Sequence, residues 1–270
     1  MKYLNCNYAL VTGASSGIGL AYSRELARRG FHLLLVSNQK EELEKTAAQI
    51  TAEFKVTALH YYMDLAKQES AQELFDYCVA NKIKIFILIN NAGIFFFKDV
   101  IKTSSEKIDL MMNLHMYTPV MLSKLFAQQM LDEKRRGWIL NMSSVAAWMM
   151  MPGLTFYNST KNFMRSFSRS MRNEVFNKGI SVITVCPGAV ATGLYNLSPK
   201  YQKLGVALGI IIRPEKLAKK AITKLFNRRK EYMPGIFINR LFIFILKIMP
   251  ECIIRHIKKK IDNASNAKKQ

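Results

Sequence analysis

Tyr157 and Lys161 stand four residues apart in a stretch whose patterning reads as helix through Arg172, so a phenol and an ammonium share one helical face. A phenol holds its proton to about pH 10, and a cation nearby stabilises the phenolate, which brings proton exchange closer to neutral pH. The spacing Tyr-x-x-x-Lys recurs in many helices, so the surroundings decide whether this pair is a site. Ser144 closes the apolar run 138–142, and the segment from there to Tyr157, bearing glycine and methionine, can fold back to bring its hydroxyl beside the phenol. Asn113 sits in a mostly apolar helical pattern over 104–115. A buried amide there either binds water or braces a helix bend, depending on what it faces.

These side chains need a frame, and the chain alternates apolar runs with helical patterns in a way that supplies one. Residues 8–12 are a short strand ended by Gly13, followed by Ala14-Ser15-Ser16-Gly17-Ile18-Gly19 and a helix through Arg29. Strand, glycine turn and helix is the layout in which backbone N–H groups and a helix N-terminus receive a pyrophosphate, with Ser15 and Ser16 adding hydroxyls. Strands follow at 31–36 and 56–62, with helices at 43–54 and 70–81. The strand at 83–89 runs into Asn90-Asn91-Ala92-Gly93, where small and amide residues let a cofactor lie close to the backbone. Helices at 104–115 and 118–133, the strand 138–142 and a strand at 180–186 ending in Pro187-Gly188-Ala189-Val190-Ala191-Thr192 complete the pattern. Residues 193–212 read as a mobile flap over the site and 213–227 as a surface helix. Strands alternating with helices predict an α/β doubly wound, mostly parallel sheet.

The end of the second strand selects the cofactor. An acidic residue there would bind the adenosine ribose diol of NAD; this chain has Ser37, Asn38, Gln39 and Lys40. A 2′-phosphate is tolerated and Lys40 could pair with it, which favours NADP(H) and leaves NAD(H) as the alternative. Asp64, after the third strand, either accepts from the adenine amino group or caps the next helix.

The chain has 270 residues, half of them hydrophobic, which suits one folded domain and excludes a disordered chain. The formal charge is +21, and residues 213–270 carry sixteen Lys and Arg against four Asp and Glu. Cys6, Cys78, Cys186 and Cys252 form no CxxC pair, which fits a reduced, cytoplasmic chain. His32, His60, His115 and His256 show no ligand spacing, so no metal is expected. The apolar residues after Lys2 are interrupted by Asn5 and Asn7 and lead into the glycine turn, reading as a first strand and not as a targeting peptide.

Together these motifs resemble the short-chain dehydrogenase/reductase family, from about Tyr8 to Tyr232. The resemblance is carried by Thr12-Gly13 through Gly19, Asn90 through Gly93, Asn113, Ser144, Tyr157, Lys161 and Pro187-Gly188 through Thr192. The chain departs from the family at Ser37 and Asn38, which replace its usual acidic or basic selector. The resemblance implies a single-domain Rossmann fold of about seven strands over residues 1–235. It also implies reduction of a carbonyl by hydride transfer, with Tyr157 as proton donor, Lys161 holding the nicotinamide ribose, Ser144 orienting the carbonyl and Asn113 holding a water beside Lys161. The implied cofactor contacts are Gly13, Ser15, Ser16, Gly17, Ile18, Gly19, Ser37, Asn38, Lys40, Asp64, Asn91, Ala92, Gly93, Tyr157, Lys161, Pro187, Gly188, Val190 and Thr192. The family often forms dimers or tetramers, so a homo-oligomer is expected.

Two further features suggest a lipophilic substrate of the 3-ketoacyl, 3-ketosphinganine or ketosteroid type and a membrane surface, with a small soluble ketone or alcohol as substrate, or a non-catalytic binding protein of the same fold, as the alternatives. Trp148-Met149-Met150-Met151, Leu154 and Phe156, with Ile94-Phe95-Phe96-Phe97, are placed to flank the substrate side, and Met and aromatic side chains make an adaptable apolar pocket. They serve equally as core or dimer packing. Residues 236–249 are very apolar but hold Asn239, Arg240 and Lys247, and a basic stretch with Lys258-Lys259-Lys260 follows. That is too short and too charged to span a bilayer, which takes about 20 apolar residues. The extension 236–270 reads as an interfacial amphipathic basic helix, peripheral at the inner face of a membrane, or as a helix packed on protein. Nucleic acid is not expected, since no binding motif or stacking aromatics accompany the final lysines.

Overall fold

The structure, a computed structural model, describes residues 8–195, 199–207, 211–235, 243–245, 250–256, 258 and 259. Seven strands form one sheet in the order β3-β2-β1-β4-β5-β6-β7, with every neighbouring pair parallel. They are β1 Tyr8–Thr12, β2 His32–Ser37, β3 Ala58–Tyr62, β4 Ile85–Asn90, β5 Gly137–Met142, β6 Ile180–Val185 and the short β7 Glu231–Tyr232. The helices are α1 Gly17–Arg28, α2 Lys40–Phe54, α3 Ser70–Ala80, α4 Ser105–Met112, α5 Thr118–Asp132, α6 Thr155–Val175, α7 Pro199–Ala207 and α8 Pro214–Phe226. The strand order reverses between β1 and β4, and the crevice at such a switch point, outside the carboxyl ends of the strands, is where these sheets bind ligands.

The central strands are mostly apolar because both faces are covered. Ala9 and Val11 of β1 point into a cluster with Tyr22 and Leu26 of α1, Leu43 and Ile50 of α2, and Leu217 and Ile222 of α8. Leu10 points the opposite way, toward Leu74 of α3, Phe126 and Met130 of α5, and Met171 and Val175 of α6. A buried polar ladder crosses this second face. The Asn90 Nδ2 donates to Asn141 Oδ1 at 2.8 Å and to Ser123 Oγ at 3.0 Å, and Asn141 Nδ2 donates to Ser168 Oγ at 2.9 Å. It ties β4 and β5 to α5 and α6.

Two expectations change. The helix predicted over 104–115 ends at Met112, and a π-helical turn, Asn113–Tyr117, carries the chain into α5. Pro119 has no N–H to return to the carbonyl of residue 115, so the regular ladder is broken there and the wider turn takes its place. The segment expected to be a mobile flap, 193–212, holds regular structure in its described parts. Gly193–Tyr195 is a 3-10 turn and Pro199–Ala207 is α7, while Ile211 N–H donates to the Gly205 carbonyl and Val190 bridges Ile212.

Of the predicted extension 236–270, residues 236–242, 246–249, 257 and 260–270 lie outside the described residues. Ile243 is buried against Val145, Cys186 and Met233, with Trp148 packed on the same cluster. Lys258 Nζ pairs with the Asp99 carboxylate at 2.9 Å. Among the described residues, no helix is long and apolar enough to cross a membrane.

Candidate active site

The carboxyl ends of β1, β2, β4, β5 and β6 open onto a cleft of about 600 Å³. Its wall unites most of the residues singled out by sequence: Gly13, Ser15, Ser16, Gly17 and Ile18 from β1 and α1; Ser37, Asn38 and Asp64 from β2 and β3; Asn91, Ala92 and Gly93 from β4; Ser144, Tyr157 and Lys161; and Pro187, Gly188, Val190 and Thr192 after β6. Three residues stand outside this wall. Gly19 lies behind it, Lys40 is exposed at the first residue of α2, and Asn113 is half-buried at the start of the π-helical turn.

The glycine turn is held closed from across the switch point. Thr12 Oγ1 accepts from the N–H groups of Asn91 and Ala92 at 2.9 and 3.0 Å, and Asn91 Nδ2 donates to the Thr12 carbonyl at 3.0 Å. A Cβ on Gly19 would lie 2.0 Å from the Gly13 carbonyl oxygen, so no other residue fits there without moving backbone. Ser16 caps α1 without a side-chain hydrogen bond, which leaves the first-turn amides of α1 to a ligand. The second strand adds a closed polar corner: Ser15 Oγ donates to Gln39 Oε1 at 2.6 Å and lies 2.9 Å from Ser37 Oγ, which also accepts the Gln39 N–H. Asp64 is the one acid in the cleft wall among the described residues. Its Oδ1 accepts from the Ala66 N–H at 3.0 Å, so it shapes its own turn and does not cap α3.

Tyr157 and Lys161 are both 6% exposed, with Lys161 Nζ 5.6 Å from the centre of the tyrosine ring. Lys161 Nζ donates to the Met142 carbonyl at 3.3 Å, and the Ser143 hydroxyl donates to the Lys161 carbonyl at 2.7 Å. Burial brings the lysine pKa down from 10.5 to about 8. Ser144 caps the 3-10 turn Val145–Trp148: its Oγ accepts from the Ala146 N–H at 3.1 Å and donates to the Pro187 carbonyl at 3.4 Å. Phe95 meets the Tyr157 ring edge to face, centroids 5.1 Å apart, and Ile94, Phe96, Met149 and Phe156 pack with it. Trp148, expected in this apolar wall, turns away, stacking under Arg165 and packing toward Ile243.

Sequence reasoning named Thr12 only within the glycine motif and missed Ser143 and His115 as parts of the site. In the sequence His115 shows no metal-ligand spacing, and its position two residues after Asn113 carries no recognisable signal until the π-helical turn brings it inward. It is 2% exposed and lines the cleft beside Lys161.

Residues 7–202 match the family model described as short chain dehydrogenase. The very-long-chain 3-oxoacyl-CoA reductase of Anas platyrhynchos is 36% identical over 204 residues, 73% of this chain and 64% of that protein. The protein of the same description from Homo sapiens is 29% identical over 266 residues, 96% of this chain and 81% of that one. The match thus spans less than two thirds of the length of the duck relative. Among solved structures, the alcohol dehydrogenase from Thermococcus sibiricus complexed with 5-hydroxy-NADP superposes with a TM-score of 0.72 at 27% identity, covering 84% of this chain and 95% of that one.

Proposed function

Since the chain belongs to the short-chain dehydrogenase family, we propose that it is an NADP(H)-dependent oxidoreductase that reduces a carbonyl on a lipophilic substrate, a long-chain 3-oxoacyl thioester, to a secondary alcohol. The observation that carries this reading is the buried pairing of Tyr157 with Lys161 in the wall of the cleft that begins at the glycine turn. The open amides of α1 and the turn from Gly13 to Gly17 suit a pyrophosphate, and the corner of Ser15, Ser37 and Gln39 carries no carboxylate to repel a 2′-phosphate. The relative from Thermococcus sibiricus is complexed with an NADP derivative, which agrees with that preference.

The bound nicotinamide supplies the hydride. Tyr157 donates a proton to the carbonyl oxygen as negative charge develops there. Lys161 stays cationic at neutral pH and stabilises the phenolate left behind, a charge that exists only once the proton has moved. Ser144 donates to the same carbonyl oxygen and orients it, giving up its long bond to Pro187. Asn113, expected to hold a water beside Lys161, stands outside the cleft wall, and His115 lines it there instead. The side chains of Ile94, Phe95, Phe96, Met149 and Phe156 around the phenol exclude water and accept the apolar part of the substrate. The relatives named as very-long-chain 3-oxoacyl-CoA reductases support the thioester.

The test is oxidation of NADPH, and separately of NADH, at 340 nm against a panel of a long-chain 3-oxoacyl-CoA, 3-ketosphinganine, a ketosteroid and a small ketone. NADPH-dependent turnover of the thioester is expected, with Tyr157→Phe lowering it about 10²–10⁴-fold while NADPH still binds. Activity confined to the small ketone would refute the lipophilic substrate, and undiminished activity in Tyr157→Phe would refute the mechanism.

A further inference from the structure

We propose that His115 is a positioning residue: as a neutral imidazole it clamps the loop at Gly93 and Ile94 to the turn of α6 that carries Tyr157 and Lys161. Its kinetic consequence rests on the reductase reading; the clamp itself does not.

The direction of each hydrogen bond follows from the first. The Ile94 N–H donates to His115 Nε2 at 2.9 Å, so Nε2 carries a lone pair and the ring proton sits on Nδ1. Nδ1 then donates to Thr160 Oγ1 at 3.1 Å, and the Thr160 hydroxyl donates to the Tyr157 carbonyl at 2.9 Å. Three bonds in series therefore join the loop after β4, the π-helical turn and the first turns of α6. The fit is close: a Cβ on Gly93 would come within 2.9 Å of Nε2, and the imidazole meets the Tyr157 ring edge to face with centroids 5.8 Å apart.

Protonation would place an N–H at Nε2 head-on against the Ile94 N–H and undo the first bond. The titratable groups facing the ring are Tyr157 and Lys161, both from α6; the loop after β4 offers backbone only. Among the described residues no carboxylate acts on it to favour the imidazolium. Burial, and after it the Lys161 charge, hold the imidazole pKa well below 6.5, so the clamp is closed at neutral pH.

Three variants and one spectrum test this on the full chain. His115→Phe is expected to lower kcat about ten- to a hundredfold, with the NADPH dissociation constant within about twofold of wild type. His115→Gln, whose amide oxygen can accept from Ile94, is expected to recover part of that loss. Thr160→Val breaks the same series, so the double variant with His115→Phe is expected to be no worse than the worse single one, whereas additive losses would refute the relay. Wild-type kcat in a folded His115→Phe protein would also overturn the proposal. Independently of turnover, ¹⁵N spectra of the four histidines, with His115 assigned by its loss in the glutamine variant, are expected to show a pyridine-type Nε2 at neutral pH and a ring that titrates well below an ordinary imidazole. A His115 ring titrating near 6.5 would refute the clamp. A wild-type protein without reductase activity but with this signature would refute the reductase reading alone.

Discussion

Lys161 Nζ donates to the carbonyl oxygen of Met142 across 3.3 Å, and this contact fastens α6 to the carboxyl end of β5. The ammonium has exchanged bulk water for a carbonyl dipole and the face of a phenol, which is why burial brings its pKa from 10.5 to about 8. A group so depressed is deprotonated more readily in the folded protein than in the unfolded chain. Between pH 8 and 10.5 the unfolded state therefore binds more protons, and folding stability from this group rises with pH across that window. The full difference corresponds to roughly 3 kcal/mol. Urea unfolding of the cofactor-free Lys161→Met variant, compared with wild type, is expected to show a stability advantage at pH 7 that shrinks as pH rises from about 8 to 10.5. A difference independent of pH would refute the buried charge.

Gly19 is the tightest point of the turn. Replacing it with alanine sets a Cβ against the Gly13 carbonyl, and the displaced backbone is the one that faces a pyrophosphate. Gly19→Ala is expected to cost about 1–3 kcal/mol and to weaken NADPH binding at least tenfold. Gly193→Ala, whose Cβ would meet nothing within 4 Å, is expected to leave the melting temperature unchanged. Calorimetry on both variants and fluorescence titration of NADPH into Gly19→Ala check this.

Ser37 ends β2 and shares a hydrogen bond with Ser15. An aspartate there would repel a 2′-phosphate and accept from a ribose diol. Ser37→Asp is expected to reverse the preference from NADPH to NADH by at least tenfold in kcat/KM. An unaltered ratio would mean that the second strand does not select the cofactor here.

The ladder from Asn90 through Asn141 to Ser168 is buried, so removing one rung strands its neighbours. Asn141→Leu is expected to cost about 1–3 kcal/mol, because Ser168 loses a donor and Asn90 an acceptor among buried groups. Denaturant unfolding measures it, and a loss below about 0.5 kcal/mol would mean that solvent reaches the ladder.

The alternation of apolar runs and helical patterns carried the parallel sheet, because a strand covered on both faces has no polar alternation to confuse its reading, as in Leu33, Leu34 and Leu35 of β2. The glycine turn, Asn91 and the pair Tyr157 and Lys161 were equally legible, since each rests on local spacing along one turn or one helix. The apolar wall was half legible. Phe95 and Met149 meet at the phenol as their positions suggested, yet Trp148 rotates out of that wall toward Arg165, a choice made by a neighbour far away in sequence.

The chain's own pattern therefore determined the sheet, the turn that opens toward a dinucleotide and the helix bearing the phenol and the ammonium, because these depend on residues within a few positions of one another. Tertiary structure alone decided that Asn91 spends its amide on the Thr12 carbonyl and that His115 enters the site. Those outcomes are set by contacts across dozens of residues, such as Ile94 with His115 and His115 with Thr160, where the partner that satisfies a buried polar group cannot be known until the sheet has brought the strand ends together.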